Sequence, residues 1–450
     1  MILGAYGLLF KNHTRFVLFG LITAFASSFG QTYFIGIFGH AIQQDFAMSH
    51  TEWGGIYMAG TLLSALLLPI TGKWIDQVPL QRYTFTVVLC LAFAGWFITQ
   101  VHSLGWLVVG VFLLRQSGQG LMSHVAYTSM GRYFDQQRGK ATAMVAMGFA
   151  AGEAILPLIA VMAIAAVGWR WSYAGVAIFV LVVILPASMW LLRGHNSRHQ
   201  DYEQKLTAHE ASSLDNKEPS AANHKPSAAN QKPLAANQKP SAEVIQDATT
   251  AMSWRRRDVL KDYRFYLILP AVSATSLVST ALFFHHLNLA DEKGWSHTFI
   301  TGNYLLYSLV ATVMAVIAGQ LIDRFSALSL MPFTLVPIAA ALLMINLVDS
   351  YWVIWPYMVL LGVGSGLAQT AQAALWPECY GVRYLGSIKS LYWTFVVFAS
   401  ALGPVWLGYL VDQGYSFQQA VLTMVVYLVL ATGLMMIGLR GFRVPNAARG

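Results

Sequence analysis

The stretch Gly72-Lys73-Trp74-Ile75-Asp76 closes one long apolar run, and Gly319-Gln320-Leu321-Ile322-Asp323 closes another. Both read Gly-x-x-Ile-Asp, and a basic side chain follows each, Arg82 after the first and Arg324 after the second. A polar turn of one composition ending two distant apolar runs points to an internal repeat. The chain therefore reads as two related halves.

Outward from these turns the charges partition the sequence. Runs free of Lys, Arg, Asp and Glu cover 16–44, 53–72, 83–114, 171–192, 265–290, 294–322, 325–348, 350–377, 390–411 and 413–439. The stretch 83–131 holds two spans divided near His102-Ser103-Leu104-Gly105, with Arg115 as its only charge, and 141–169 holds one span whose only charge is Glu153. The expectation is twelve membrane-spanning helices in two six-helix halves, an all-α membrane protein. Continuous runs of this length fit helices of about 20 residues across a core of about 30 Å. The alternating ten-residue segments of a barrel are not seen.

Composition agrees. Of 450 residues 56% are hydrophobic and only 11% charged, against about 25% charged in soluble domains. So little charge cannot cover a water-exposed globule. The two cysteines, Cys90 and Cys379, build neither a disulfide framework nor a metal cluster. The net charge of +8 suggests nucleic acid until its placement is read. With the N-terminus inside, 25 of the 28 basic residues fall in inner segments, Arg170 and Lys293 fall outside, and Arg115 lies within the membrane. That bias sets orientation, with both termini cytoplasmic, and excludes nucleic acid as the partner. Met1 to Arg15 shows no removable signal peptide.

The expected organisation is an N-terminal half over 1–193, a linker over 194–261, and a C-terminal half over 262–450. Inside the linker Pro219, Pro226, Pro233 and Pro240 recur every seven residues with no apolar face. Such a segment buries too little to offset its ordering entropy and is expected to be disordered. Arg255, Arg256 and Arg257 are expected at the anionic inner headgroups.

On these residues the chain resembles the major facilitator superfamily, whose loop pattern is G-x-x-x-D-x-x-G-x-[RK]-[RK]. Pro79 stands here where that pattern has its second Gly. Arg115-Gln116-Ser117-Gly118-Gln119-Gly120 is similar to the superfamily's R-x-x-G-x-G, and Gly403-Pro404 and Gly408, ending at Asp412, sit at its expected place in the eleventh span. Ser27-Ser28-Phe29-Gly30 through Phe38, with Asp45, Phe46 and Trp53, resembles the monocarboxylate transporters and the oxalate/formate exchanger group. The resemblance implies alternating access about a mid-membrane site in a bacterial inner membrane, a carboxylate-type substrate, and no cofactor.

The candidate site follows from cost. An ionised group at the bilayer centre costs at least about 2.5–3.5 kcal/mol. Arg115 lies roughly 16 Å from the outer end of its span and Glu153 roughly 20 Å from the inner end of its own, so the two could meet. Arg115 is the candidate anion ligand and Glu153 the candidate proton site; the bland alternative is a buried pair that merely orients two helices. His285 and His286 are adjacent and point about 100° apart, so one at most is expected to face the pathway, as a gate or proton group. Neither has a metal-ligand partner at i, i+4, and no metal is expected. Gln31, Tyr33, Tyr57, Asn303, Tyr307, Gln369, Tyr392 and Trp393 supply the polar and aromatic lining, though each alone serves as well for helix packing. Gly72, Asp76, Arg82, Arg132, Asp323 and Arg324 are expected to form gate latches rather than substrate contacts.

The reading that follows is a monomeric secondary transporter, not an enzyme, moving a small organic solute with protons. No phosphate-binding loop suggests ATP as the driver. Proton-driven efflux of an amphipathic drug or metabolite is the rival transport reading. A membrane sensor signalling through the linker is the rival from another class.

Overall fold

A computed structural model describes residues 2–134, 137–200, 202, 204 and 254–442; the proline repeats lie outside the described residues. Among these residues nine helical segments are long and apolar enough to cross a membrane. The longest, Gly139–Leu191, has 53 residues, and a straight helix of that length would run about 80 Å. It does not. Tyr133, just before its start, packs edge-on against His195, just beyond its end, with ring centroids 4.7 Å apart. The rod doubles back at Gly168, whose φ of +79° is open to glycine and costly for other residues.

The rods are numbered here in chain order. α1 covers 2–46, α2 His50–Asp76, α3 Leu80–Gln100, α4 104–133, α5 138–167 and α6 169–191. α7 is Tyr263–Phe284, continued by His286–Glu292. α8 is His297–Phe325, α9 Ala327–Leu347, α10 Tyr351–Tyr380, α11 Leu385–Asp412 and α12 Phe417–Leu439. Among the described residues these make twelve rods, six in each half. α1 and α4 are less apolar than the others as continuous rods: α1 is cut at the extended Gln31 after the tight turn Ser28–Gly30, and α4 carries Arg115, Gln116 and Gln119 in its middle.

The halves meet through equivalent pairs: α1 with α7, α2 with α11, and α5 with α8. Each pairing joins rods of different halves, as a pseudo-two-fold requires. α7 breaks at His285, as α1 breaks at Ser28–Gln31. Large apolar side chains cover the outside, Leu66, Trp171 and Leu347 each being more than 70% exposed. A surface this greasy is stable against acyl chains and not against water.

The two ends of the expected linker are ordered. Residues 195–200 form a helical turn whose His195 stacks on Phe16, and Trp254 donates its backbone N–H to the Tyr380 carbonyl. Aromatic cover explains why order extends past the spans. Arg255 begins the short helix Arg256–Lys261, which packs against α11 and α7.

Two predictions follow from the packing. A Cβ at Gly30 would stand 2.6 Å from the Gln119 amide nitrogen, whereas one at Gly55 meets nothing. Gly30→Ala should therefore lower the melting temperature in detergent by an amount matching roughly 1–3 kcal/mol of overpacking, and Gly55→Ala should not. Among the described residues His195 has no partner on either ring nitrogen, and burial lowers its pKa from 6.5 to about 4. The docked turn then holds the neutral ring, and its stability falls as pH drops from 6.5 toward 4. His195→Phe should remove that part of the pH dependence in a series of thermal melts.

Candidate functional site

The break in α1 exposes a carbonyl at mid-depth. Gln31 is extended, and the amides of Phe34 and Ile35 both bond to the Gln31 carbonyl rather than to that of Gly30. The freed Gly30 oxygen accepts from Arg115 Nη1 at 3.2 Å, and Thr32 Oγ1 lies 3.4 Å from the same nitrogen. The guanidinium sits 5.0 Å above the Tyr57 ring, and the Tyr57 hydroxyl bonds to Thr32. Arg115 is only 2% exposed, and its Nε has no partner among the described residues. No carboxylate lies within ion-pair distance of Arg115 among the described residues. Around it, Gln116 accepts from Ser64 at 2.9 Å and donates to Thr71 at 2.8 Å, which locks the wide turns of α4 against α2.

Glu153 does not meet Arg115, contrary to the depth estimate. It is half-buried on α5. Three residues before it, the Ala150 carbonyl accepts from Ser308 Oγ of α8 at 2.9 Å, joining the halves on the face that Glu153 shares. Tyr33, Tyr304 and Tyr307 lie within electrostatic reach of its carboxyl. Tyr33 donates to Ser28 at 2.8 Å and Tyr307 to Ser365 at 3.1 Å. Equal depth did not imply contact because Arg115 is held at the α1 break by Gly30 and Thr32, while Glu153 lies on α5 among Tyr33 of α1 and Tyr304 and Tyr307 of α8.

The histidine pair divides differently than expected, since neither ring faces an open path. His285 is 3% exposed, and its Nε2 bonds to the Pro404 carbonyl of α11 at 2.9 Å. His286 is fully buried, with Nδ1 2.8 Å from the Tyr304 hydroxyl and Nε2 3.0 Å from that of Tyr357. Other expected lining residues scatter. Gln31 is buried at the α1 break. Asn303 donates to Phe299 of its own helix, Gln369 is exposed, and Tyr392 stacks on Trp376 while Trp393 is 53% exposed.

The residues expected to form latches are held asymmetrically. Arg132 pairs with Asp76 and donates to the Ile75 carbonyl at 3.2 Å, and Gly72 offers its carbonyl to His124 at 3.0 Å. Arg82 and Asp323 are exposed with no ion pair among the described residues, and Arg324 lies over Phe325. In the second half Glu378 takes the holding role instead, accepting from the Ala327 and Leu328 amides at 2.9 and 3.0 Å.

At the opposite end lies a lock that local sequence reading missed. Asp412, ending α11, accepts from the His50 and Thr51 amides that begin α2, at 3.0 and 2.7 Å. Asn288 of α7 contacts His50 at 3.0 Å, Phe284 packs against Trp53 and Tyr57, and Asp291 approaches His40 at 3.7 Å. A carboxylate on the amides of a helix start is favourable by charge and by hydrogen bonding. Asp412 had been noted only as the end of a motif, because its partners lie about 360 residues away. Among the described residues, the bonds between halves gather at this end and at Ser308–Ala150, while Asp76 and Asp323 at the other end make none across the seam.

A sequence model described as Major Facilitator Superfamily matches residues 20–404. The chain belongs to the major facilitator superfamily. No curated protein matches the sequence significantly. Among solved structures it is similar to a bacterial homologue of the human lysosomal transporter Spinster in an inward-facing, occupied conformation (15% identity, TM-score 0.68, covering 97% of this chain and 99% of that one). It is also similar to the nucleoside transporter NupG (11% identity, TM-score 0.65, 95% and 100%). The chain is thus a multi-pass membrane transporter of small molecules and not an enzyme; these distant likenesses carry the fold and not a substrate.

Asp412→Asn should loosen the lock, since hydrogen bonds to charged groups contribute about 1.5–3 kcal/mol. A cysteine replacing the buried Phe284, in a chain lacking Cys90 and Cys379, should then react with a maleimide about tenfold faster or more. Unchanged labelling would remove Asp412 from the closure.

Proposed function

We propose that the chain is a proton-coupled secondary transporter that moves a small organic anion of the carboxylate type by alternating access. The halves over 1–193 and 262–450 rock about the seam, 194–261 tethers them, and the protein works as a monomer in a bacterial inner membrane. The end bearing Asp76 and Asp323, with both termini, faces the cytoplasm. The closure at His50 and Asp412 then makes this an inward-facing arrangement.

The observation that carries the reading is Arg115. A guanidinium 2% exposed, with an unpartnered Nε and no counter-ion among the described residues, leaves a desolvated positive charge. Such a charge is strongly unfavourable unless an anion completes it. A substrate carboxylate arriving between α1, α2 and α4 supplies the missing charge and acceptors, and guanidinium geometry suits two carboxylate oxygens. Glu153, at mid-depth on the seam between α5 and α8, is placed to bind one proton per cycle, because its solvation changes when the halves part.

Uptake into proteoliposomes under an inward proton gradient, across a panel of mono- and dicarboxylates, tests this. At least one member should accumulate uphill. Arg115→Gln should reduce its uptake by about a hundredfold, the order expected for loss of a buried charge partner worth about 3 kcal/mol. Glu153→Gln should keep downhill exchange and lose gradient-driven accumulation. Accumulation that ignores Arg115 would sink the anion assignment, and accumulation that survives Glu153→Gln would sink the coupling.

A further inference from the structure

Asp291, on the extension of α7, has an imidazole at each carboxylate oxygen. His297 of α8 bonds to Oδ1 through Nε2 at 2.7 Å, and Nδ1 of His40 on α1 lies 3.7 Å from Oδ2. The two rings stand edge to face, with centroids 5.8 Å apart. His40 belongs to the N-terminal half and the other two to the C-terminal half, so the group spans the seam at the end that Asp412 closes. The side chains of His40, Asp291 and His297 are 40%, 46% and 30% exposed. Water outside the membrane therefore reaches all three directly. At 3.7 Å the His40–Asp291 contact is too long for a hydrogen bond and short enough for an ion pair. It does little while His40 is neutral and attracts once His40 is charged. Histidine makes that change between about pH 5 and pH 8.

We infer that His40, Asp291 and His297 form a second proton site, at the outer end of the seam, whose occupation by a proton from the outer solution holds that end closed. The inference rests on alternating access about this seam with this end outermost; it needs neither the carboxylate substrate nor Glu153.

The step is a single protonation. The Gln44 amide donates to His40 Nε2 at 2.8 Å, which leaves the neutral ring's own proton on Nδ1, facing Asp291. The second proton comes from outer water and enters at Nε2, where Gln44 turns its amide oxygen to accept it. His297 donates its Nε2 proton to Asp291 and so fixes the carboxylate toward the seam without cancelling its charge. Charging both rings sets two cations against one anion, so the group takes up one proton on closing. Parting the halves removes Asp291 from His40 and returns that proton to the outer water. A closed end that binds the proton more tightly is, by linkage, an end that acid closes. The ionisable groups about His40 are Asp291 of α7, His297 of α8 and, within electrostatic reach, His50 of α2; the wall from α5 is Val161, Ile164 and Ala165. Glu292 and Lys293, beside Asp291, are engaged on the Phe417 amide and on Asp349. His50 works in the opposite sense, because its Nδ1 accepts from the Asn288 amide at 3.0 Å and a proton there breaks that bond between the halves.

The test needs no substrate. Spin labels are placed on cysteines replacing the exposed Leu104 and Leu347, at the outer ends of α4 and α9, in a full-length chain lacking Cys90 and Cys379. Pulsed electron resonance in lipid nanodiscs then reads the ratio of long to short distances from about pH 8 to about pH 5. The same series is run with Asp412→Asn, which raises the open population. Acidification should lower the open-to-closed ratio by about two- to fivefold, the range of a half-exposed ion pair. His40→Gln and Asp291→Asn should each flatten the response. His40→Lys, charged at every pH in the series, should hold the ratio low and flat, which a merely structural histidine would not explain. His50→Gln and Glu153→Gln should keep the response. A response that survives His40→Gln, or that vanishes in Glu153→Gln, overturns the site. A distance that Asp412→Asn lengthens and pH leaves alone overturns the site while sparing alternating access. A distance that no variant and no pH moves overturns both.

Discussion

A guanidinium held in hydrocarbon is the constraint on which the N-terminal half is built. Arg115 cannot reach water, so the backbone must come to it. The α1 break supplies one carbonyl, the wide turns of α4 aim the side chain at that carbonyl, and the Tyr57 face covers the charge. Close approach of α1 and α4 is a condition of the arrangement. Gly30 and Gly118 meet where a Cβ on Gly118 would lie 2.6 Å from the Gly30 nitrogen. The local irregularities of two helices are thus one solution to one charge, and they leave the far side of the guanidinium unsatisfied.

The same economy governs the seam. Nothing in a bilayer rewards burying apolar surface of one half against the other, because lipid is as greasy as leucine. Beside the packing of Phe284 on Trp53 and Tyr57, the halves are joined by polar bonds: the α2 amides on Asp412, Asn288 on His50, Ser308 on the Ala150 carbonyl. Contacts of this kind are few and directional, and a shift of a few ångströms releases them together. A seam held mainly by dispersion would slide instead of switching.

The pseudo-symmetry of the halves is a symmetry of backbone and not of charge. Both halves break their first rod, and both pair their second and fifth rods across the seam. Yet the loop after α2 is held by Arg132 on Asp76, whereas the chain after α8 is held by Glu378 on two amides. Asp323 repeats the motif of Asp76 and makes no ion pair among the described residues. A repeated pattern guarantees a repeated turn, because the turn is local. Its partner comes from another helix and is free to differ.

What the sequence determined alone is whatever hydrocarbon decides by composition: the crossings, their division into two halves, the helical class, and Arg115 and Glu153 as the charges that need explanation. These follow from a cost per residue that does not depend on neighbours. Partnership was decided only by the tertiary structure. Equal depth suggested that Arg115 and Glu153 meet, but depth leaves the direction around each helix open, and the two point to different neighbours. His285 and His286 were legible as a pair, while their division between Pro404 and two tyrosines depends on a break in α7 that no periodicity announces. Asp412, Glu378 and His50 act through contacts separated by tens to hundreds of residues. Burial is a property a segment carries with it; a hydrogen bond belongs to two segments at once, and only the packed chain brings them together.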